Sequence, residues 1–221
     1  MWRRSSWLLY EMAHWLSFTG LTWGFNYRFE GREFMPTTGP VLLISNHQSF
    51  LDPLIVGCAV RRHLCFLARK TLFRNRYFGA LIQHLHAVPV DQEGVAKDGL
   101  KTILEQLKKN RAVLVFPEGE RTRTGEVLPL KPGILLLIKR MQAPIVPIGI
   151  AGAFDALPRT RHYPKLSPFF LPTTGADIAV SIGRPIPAER CRDMSRELVL
   201  TELYQELNRV KERAERLRRK T

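Results

Sequence analysis

A chain of 221 residues, 45% of them hydrophobic, has the size and apolar content of one globular domain with a sizeable core. Its 34 Lys and Arg against 20 Asp and Glu leave a formal net charge of +14, which calls for an anionic partner: nucleic acid, an acidic membrane surface or an acidic carrier. Cys58, Cys65 and Cys191 are odd in number and lack a C-x2-C pair, which argues against a disulfide framework or a zinc site and for reduced thiols, with Cys58 and Cys65, in apolar surroundings, read as buried. A Gly-x-Ser-x-Gly elbow, a Walker-type P-loop and internal repeats are all missing from the sequence.

Arg3 and Arg4 open an apolar run as in a signal peptide, but no clear small-residue cleavage site follows. Trp7, Leu8, Met12, Trp15, Leu16 and Trp23 are roughly helix-spaced, interrupted by Glu11, His14 and Ser17. Glu11 in mid-run would be costly inside a bilayer. Tryptophans with flanking arginines suit a helix lying in the headgroup region, and an amphipathic helix packed on the core is the alternative. The expected organisation is therefore an amphipathic membrane element at residues 1–24 and one domain over 25–221.

Phe25 to Glu30 reads as a strand, followed by a Gly, Pro and Thr turn. The apolar run Val41-Leu42-Leu43-Ile44 then gives way to Ser45-Asn46-His47-Gln48-Ser49-Phe50-Leu51-Asp52-Pro53, before Leu54-Ile55-Val56. His47 and Asp52 thus sit where a buried strand turns into a helix. Five positions apart, two side chains point about 140° from each other in a helix and to opposite faces in a strand. They meet only if the chain bends between them. If they meet, Asp52 fixes the imidazole tautomer and stabilises the imidazolium, leaving the other ring nitrogen as a general base. Asp52 before Pro53 is equally a helix start, with aspartate as N-cap and proline at the first helical position.

Leu64 to Ala68 is a second buried run, and Arg69 to Gly79 reads as a basic loop. His84 and His86 have no third metal ligand near them and read as core or surface histidines. A helix over Asp98 to Lys109 precedes the continuous apolar strand Ala112 to Phe116. That strand delivers Phe116-Pro117-Glu118-Gly119-Glu120-Arg121 to a loop. A helix over Ile134 to Met141, the strand around Pro144-Ile145-Val146-Pro147, a proline-rich basic loop at Pro158 to Pro172, a strand at Ile178 to Ile182 and a helix from about Cys191 complete the chain. Strands alternating with helices indicate an α/β domain.

The ordered set His47-x4-Asp52, Ala87 to Gly94, Phe116 to Arg121 and Pro144 to Pro147 resembles the four motifs of the glycerolipid acyltransferases, which include the bacterial 1-acylglycerol-3-phosphate acyltransferases. The resemblance covers roughly residues 25 to 185. It implies a mixed sheet flanked by helices and acyl transfer from acyl-CoA or acyl carrier protein to lysophosphatidic acid, with no metal or cofactor. In its terms His47 is the general base, Asp52 orients it, and Lys70 and the loop of Glu118, Gly119 and Arg121 hold the acceptor's phosphate. Arg121 offers a fork of donors, Gly119 permits close backbone approach, and Glu118 holds the arginine or accepts a hydroxyl. Lys131 would face the same site. Two positions depart from the family's pattern. Gln92 replaces an arginine, for which Arg74 or Lys97 would substitute, and Glu120 replaces a threonine and is expected to turn away, towards Arg123. These departures keep another lysolipid or aminolipid acceptor open. The expected setting is the cytoplasmic face of an anionic membrane, as a peripheral or monotopic protein. A basic nucleic-acid-binding protein, the rival reading, would explain the charge but not the ordered motifs, and its basic residues lack interleaved aromatics.

Overall fold

The computed structural model describes residues 4–60, 62–90, 95–192 and 194–218. The end of the second motif, Asp91 to Gly94 with Gln92, lies outside the described residues, as do Arg3 and the side chain of Lys97. Seven strands form one sheet: β1 (Arg28–Glu30), β2 (Val41–Ser45), β3 (Leu64–Arg69), β4 (Ala87–Val90), β5 (Ala112–Val115), β6 (Ile145–Ala151) and β7 (Ala179–Ile182), in the spatial order β1-β7-β6-β2-β5-β3-β4. The strands β4, β3, β5, β2 and β6 run parallel; β7 is antiparallel to β6, and β1 follows β7. The sheet is therefore mixed, as expected.

Helices cover both faces, which is why the central strands read as unbroken apolar runs. Alternation along β2 assigns the faces. Val41 and Leu43 pack with Leu21 and Phe25 of α1 (Arg4–Phe25) and with Ile55 and Val56 of α2 (Asp52–Ala59). Leu42 and Ile44 point the other way, into a cluster with α4 (Val95–Lys108), α5 (Gly133–Arg140) and α8 (Arg196–Leu217). Val199, Leu203, Leu207, Val210 and Ala214 give α8 a fully buried stripe at spacings of four, four, three and four. Gly149 in β6 lets this helix touch the sheet, because a Cβ there would collide with the backbone of Val210 and Lys211.

Three local readings change. The first strand is shorter than expected, because α1 continues through Phe25. The C-terminal helix is two helices: Cys191 belongs to the short α7 (Ala188–Arg192), and Ser195 caps α8 by accepting the Leu198 N–H. The basic loop contains a helix, α3 (Arg76–His84). Gly79 disguises it in the sequence; here the glycine lets α3 lie against Phe73, whose carbonyl would sit 2.8 Å from an added Cβ. All three cysteines are free and buried, and burial pushes the Cys58 thiol up to about 12 and that of Cys65 to about 11.

Candidate active site

Parallel pairing brings the exits of neighbouring strands to one edge of the sheet. Ile44 is in register with Val115, so the turn after β2 and the loop after β5 emerge side by side. The turn after β2 is held by its own polar side chains. Asn46 donates to the Ile150 carbonyl at 2.9 Å and accepts the Ile150 N–H at 2.7 Å, copying a strand pairing to β6. Gln48 donates to the Gly125 carbonyl and accepts the Phe154 N–H. Ser49 donates to the Leu157 carbonyl at 2.8 Å. Each of these three is buried. An apolar strand followed by a run of polar residues is the sequence signal for such a stapled turn.

The bend brings His47 and Asp52 together. His47 Nδ1 lies 2.7 Å from Asp52 Oδ2, with the aspartate fully buried and the histidine side chain 20% exposed. The same oxygen accepts the N–H groups of Gln48 at 2.5 Å and Ser49 at 2.8 Å. Asp52 is thus not the N-cap; Leu51 is, and Pro53 sits in the first turn. The carboxylate instead faces back along the chain to organise the bend. Its other oxygen, Oδ1, is buried without a partner. The imidazole stacks on Phe116, with ring centroids 4.0 Å apart and planes 15° apart. His47 Nε2 makes no hydrogen bond among the described residues. An imidazole so held is oriented through one nitrogen and open at the other.

The loop after β5 is latched to this turn. Glu118 is buried, and its two oxygens accept the N–H of His47 at 2.8 Å and of Leu128 at 2.9 Å. The Thr122 N–H donates to the His47 carbonyl at 2.8 Å. Glu118 therefore joins the two loops through backbone bonds, facing away from solvent. Burial pushes its carboxyl up to about 7 against the pull of those two donors, and the Asp52 charge adds to the rise. Gly119 has φ +73°, and a Cβ there would lie 2.8 Å from Cδ and Nζ of Lys131, so the lysine chain fills the space the glycine leaves.

Arg121 lies with its guanidinium 3.5 Å from the centroid of the exposed Phe50 ring. Its Nη1 is buried without a hydrogen-bond partner. Burial, then the charges of Arg159 and Arg69, weigh against this cation, with Asp52 acting the other way. The result is an arginine held by stacking, with donors to spare and a positive field around it, as an anion requires. Glu120 faces Arg159 at 3.9 Å instead of Arg123. Lys70 is exposed on a single 3-10 turn (Lys70–Phe73) after β3, at the same sheet edge but one strand beyond β5. Its neighbour Arg69 is the residue whose charge reaches Arg121. Arg69 belongs to the basic segment marked in the sequence, where Lys70 is the better match by position; Arg159 and the supporting Phe50 are not singled out by the sequence, since isolated basic or aromatic residues are common on surfaces. His84 is exposed, with its Nδ1 against the Ala80 carbonyl, and His86 stacks on Tyr10.

A family model described as Acyltransferase matches residues 26–151, a stretch that holds His47, Asp52, Lys70, Glu118, Gly119 and Arg121. The 1-acyl-sn-glycerol-3-phosphate acyltransferase of Bacillus subtilis is 31% identical over 122 residues, 55% of this chain and 60% of that protein. The protein of the same name from Helicobacter pylori is 32% identical over 116 residues, 50% of this chain and 48% of that one. The matched stretch thus spans about half of these relatives' length. The crystal structure of the 1-acyl-sn-glycerophosphate (LPA) acyltransferase PlsC from Thermotoga maritima superposes with a TM-score of 0.76 at 23% identity, covering 100% of this chain and 86% of that one, and shares its fold.

Proposed function

Because the chain belongs to the acyltransferase family, we propose that it transfers a fatty acyl group from an acyl thioester, carried on coenzyme A or an acyl carrier protein, to the free hydroxyl of lysophosphatidic acid, giving phosphatidic acid. The observation that carries this reading is the buried Asp52 bound to His47 Nδ1 with Nε2 open, beside an under-bonded Arg121. His47 Nε2 accepts the hydroxyl proton as that oxygen attacks the thioester carbonyl. The C–S bond of the tetrahedral intermediate then breaks, and the imidazolium returns its proton to the departing sulfur. Asp52 stabilises the imidazolium between the two steps. Arg121, with Arg69 and Arg159 near it, holds the phosphate and so fixes the hydroxyl in attack geometry. Lys70 and Lys131 add positive charge at the same edge. No step calls on a metal or a cofactor.

The acceptor is a lipid, and α1 supplies a surface suited to meeting it. Tyr10, Leu21 and Phe25 are buried, whereas Leu8, Met12, Trp15, Leu16 and Trp23 are exposed on one arc of the helix. The arc lacks charge, and a helix apolar on its solvent side needs a second apolar medium. Among the described residues no helix is long and apolar enough to cross a membrane. From the exposed arc we read α1 as a helix lying in the headgroup region, and we place it on the cytoplasmic face. Incubating purified protein with a labelled acyl thioester and a panel of lysolipids, read by thin-layer chromatography, tests the reaction. Labelled phosphatidic acid is the expected product; transfer to a phosphate-free acceptor with equal efficiency would contradict the acceptor assignment.

A further inference from the structure

We propose that the tip of the loop between α6 (Ala153–Ala156) and β7, carrying Phe169, Phe170 and Leu171, is a second membrane anchor that seats beside Trp23 in an anionic bilayer surface; this rests on the membrane reading of α1. The loop is pinned at its base by polar contacts: Asp177, buried, accepts from Asn26 at 2.8 Å, from Ser167 at 2.8 Å and from Thr173. Lys165 Nζ donates to the Thr174 carbonyl at 2.6 Å, and Thr174 Oγ1 to the Leu166 carbonyl at 2.8 Å. Leu171 N–H closes a tight turn on the Pro168 carbonyl at 3.1 Å, which puts Phe169 and Phe170 at its apex, 46% and 60% exposed, with Leu171 51% exposed. A rigid polar frame that holds two aromatic rings out of the core contributes little to folding.

The tip continues the exposed arc of α1. Ser167 N–H donates to the Gly24 carbonyl at 2.8 Å, fastening the loop to the end of that helix. The Trp23 ring lies 5.3 Å from Phe169 and 6.2 Å from Phe170 between centroids. The occupant follows from charge. Between Asp155 and Asp177 the sequence has no acidic residue, and Arg159, Arg161 and Lys165 of the same loop are exposed. Aromatic rings at the apex of a loop whose exposed charges are cationic match an acyl boundary beneath anionic headgroups. The same loop touches the candidate site through Leu157 to Ser49 and Arg159 to Glu120. Anchoring at two points far apart in sequence would hold His47 at a fixed depth and face.

The test uses the full chain and vesicles of phosphatidylcholine mixed with phosphatidylglycerol. Phe170→Cys, labelled with an environment-sensitive fluorophore, should shift its emission to the blue on adding vesicles. The natural cysteines are buried and do not compete for label. The double variant Phe169→Ser/Phe170→Ser should lower the vesicle partition coefficient by roughly 10- to 100-fold, as expected for withdrawing two half-buried aromatic rings from lipid. Its circular dichroism should match the wild type. A parallel Trp15→Ser/Leu16→Ser variant probes α1 alone. If that variant releases the protein while the tip variant binds normally and the label at residue 170 stays in water, the second anchor is refuted and the α1 reading stands. If wild type itself fails to float with vesicles, both are refuted.

Discussion

Replacing Asp52 by Asn tests the geometry of the candidate site from within. One aspartate oxygen receives three contacts, from His47 Nδ1 and from the Gln48 and Ser49 N–H groups, and the other has none. An asparagine oxygen can take the first place, sending its NH2 into the buried position of Oδ1, where no acceptor waits. An unsatisfied buried donor costs about 1–3 kcal/mol of stability. The larger effect is on the reaction. With charge centres roughly 4 Å apart at an effective dielectric near 20, the carboxylate stabilises the imidazolium by about 4 kcal/mol. Losing it should lower kcat by about three decades. The assay is release of free thiol from the acyl donor, with the unfolding midpoint followed alongside. A variant that turns over within about tenfold of wild type, while equally stable, would refute the imidazolium role of Asp52.

Arg121→Ala should reduce kcat/KM for lysophosphatidic acid by roughly 10- to 150-fold, the equivalent of one charge-assisted bond. Arg121→Lys should recover only part, and monoacylglycerol should be a poor acceptor for wild type and variant alike; equal damage to both acceptors would remove Arg121 from phosphate binding. Glu118 titrates at about 7 in the fold, above its unfolded value, so the fold holds this proton more tightly. That contribution is whole below about pH 4.5 and is lost as pH rises to about 7, an effect of about 3 kcal/mol at roughly 1.4 kcal/mol per pH unit. In Glu118→Gln one acceptor oxygen becomes a donor facing the His47 or Leu128 N–H. The variant should be less stable, and the gap in denaturant midpoint should narrow as pH rises through that window; a constant gap would contradict the buried-proton account.

Much of this architecture is legible in the sequence because the central strands are buried on both faces. Val41 to Ile44 and Ala112 to Val115 are continuous apolar runs, and each ends in a polar or Gly-containing loop at the same sheet edge. The His47–Asp52 pair could be read from spacing alone as a meeting that needs a bend, and the bend is there. Tertiary facts were not legible. The two oxygens of Glu118 are occupied by backbone groups from two different loops, which no local pattern announces. Arg159 reaches the neighbourhood of Arg121 from a loop nearly forty positions downstream in the chain, so its part depends on the sheet order. The break before α8 turns on one capping serine, and α3 hides behind a glycine used for close packing.

The central claim is that His47 Nε2 is the base that activates the acceptor hydroxyl. Single-turnover acyl transfer by His47→Ala, measured with labelled thioester and saturating lysophosphatidic acid, tests it most directly. His47 is only partly buried and its ring stacks on Phe116 at the margin of the core and not within it, so the variant should keep the wild-type circular dichroism and vesicle binding. The account predicts that labelled phosphatidic acid falls to the uncatalysed background. A folded His47→Ala protein that still forms it at a rate within about tenfold of wild type would contradict the mechanism.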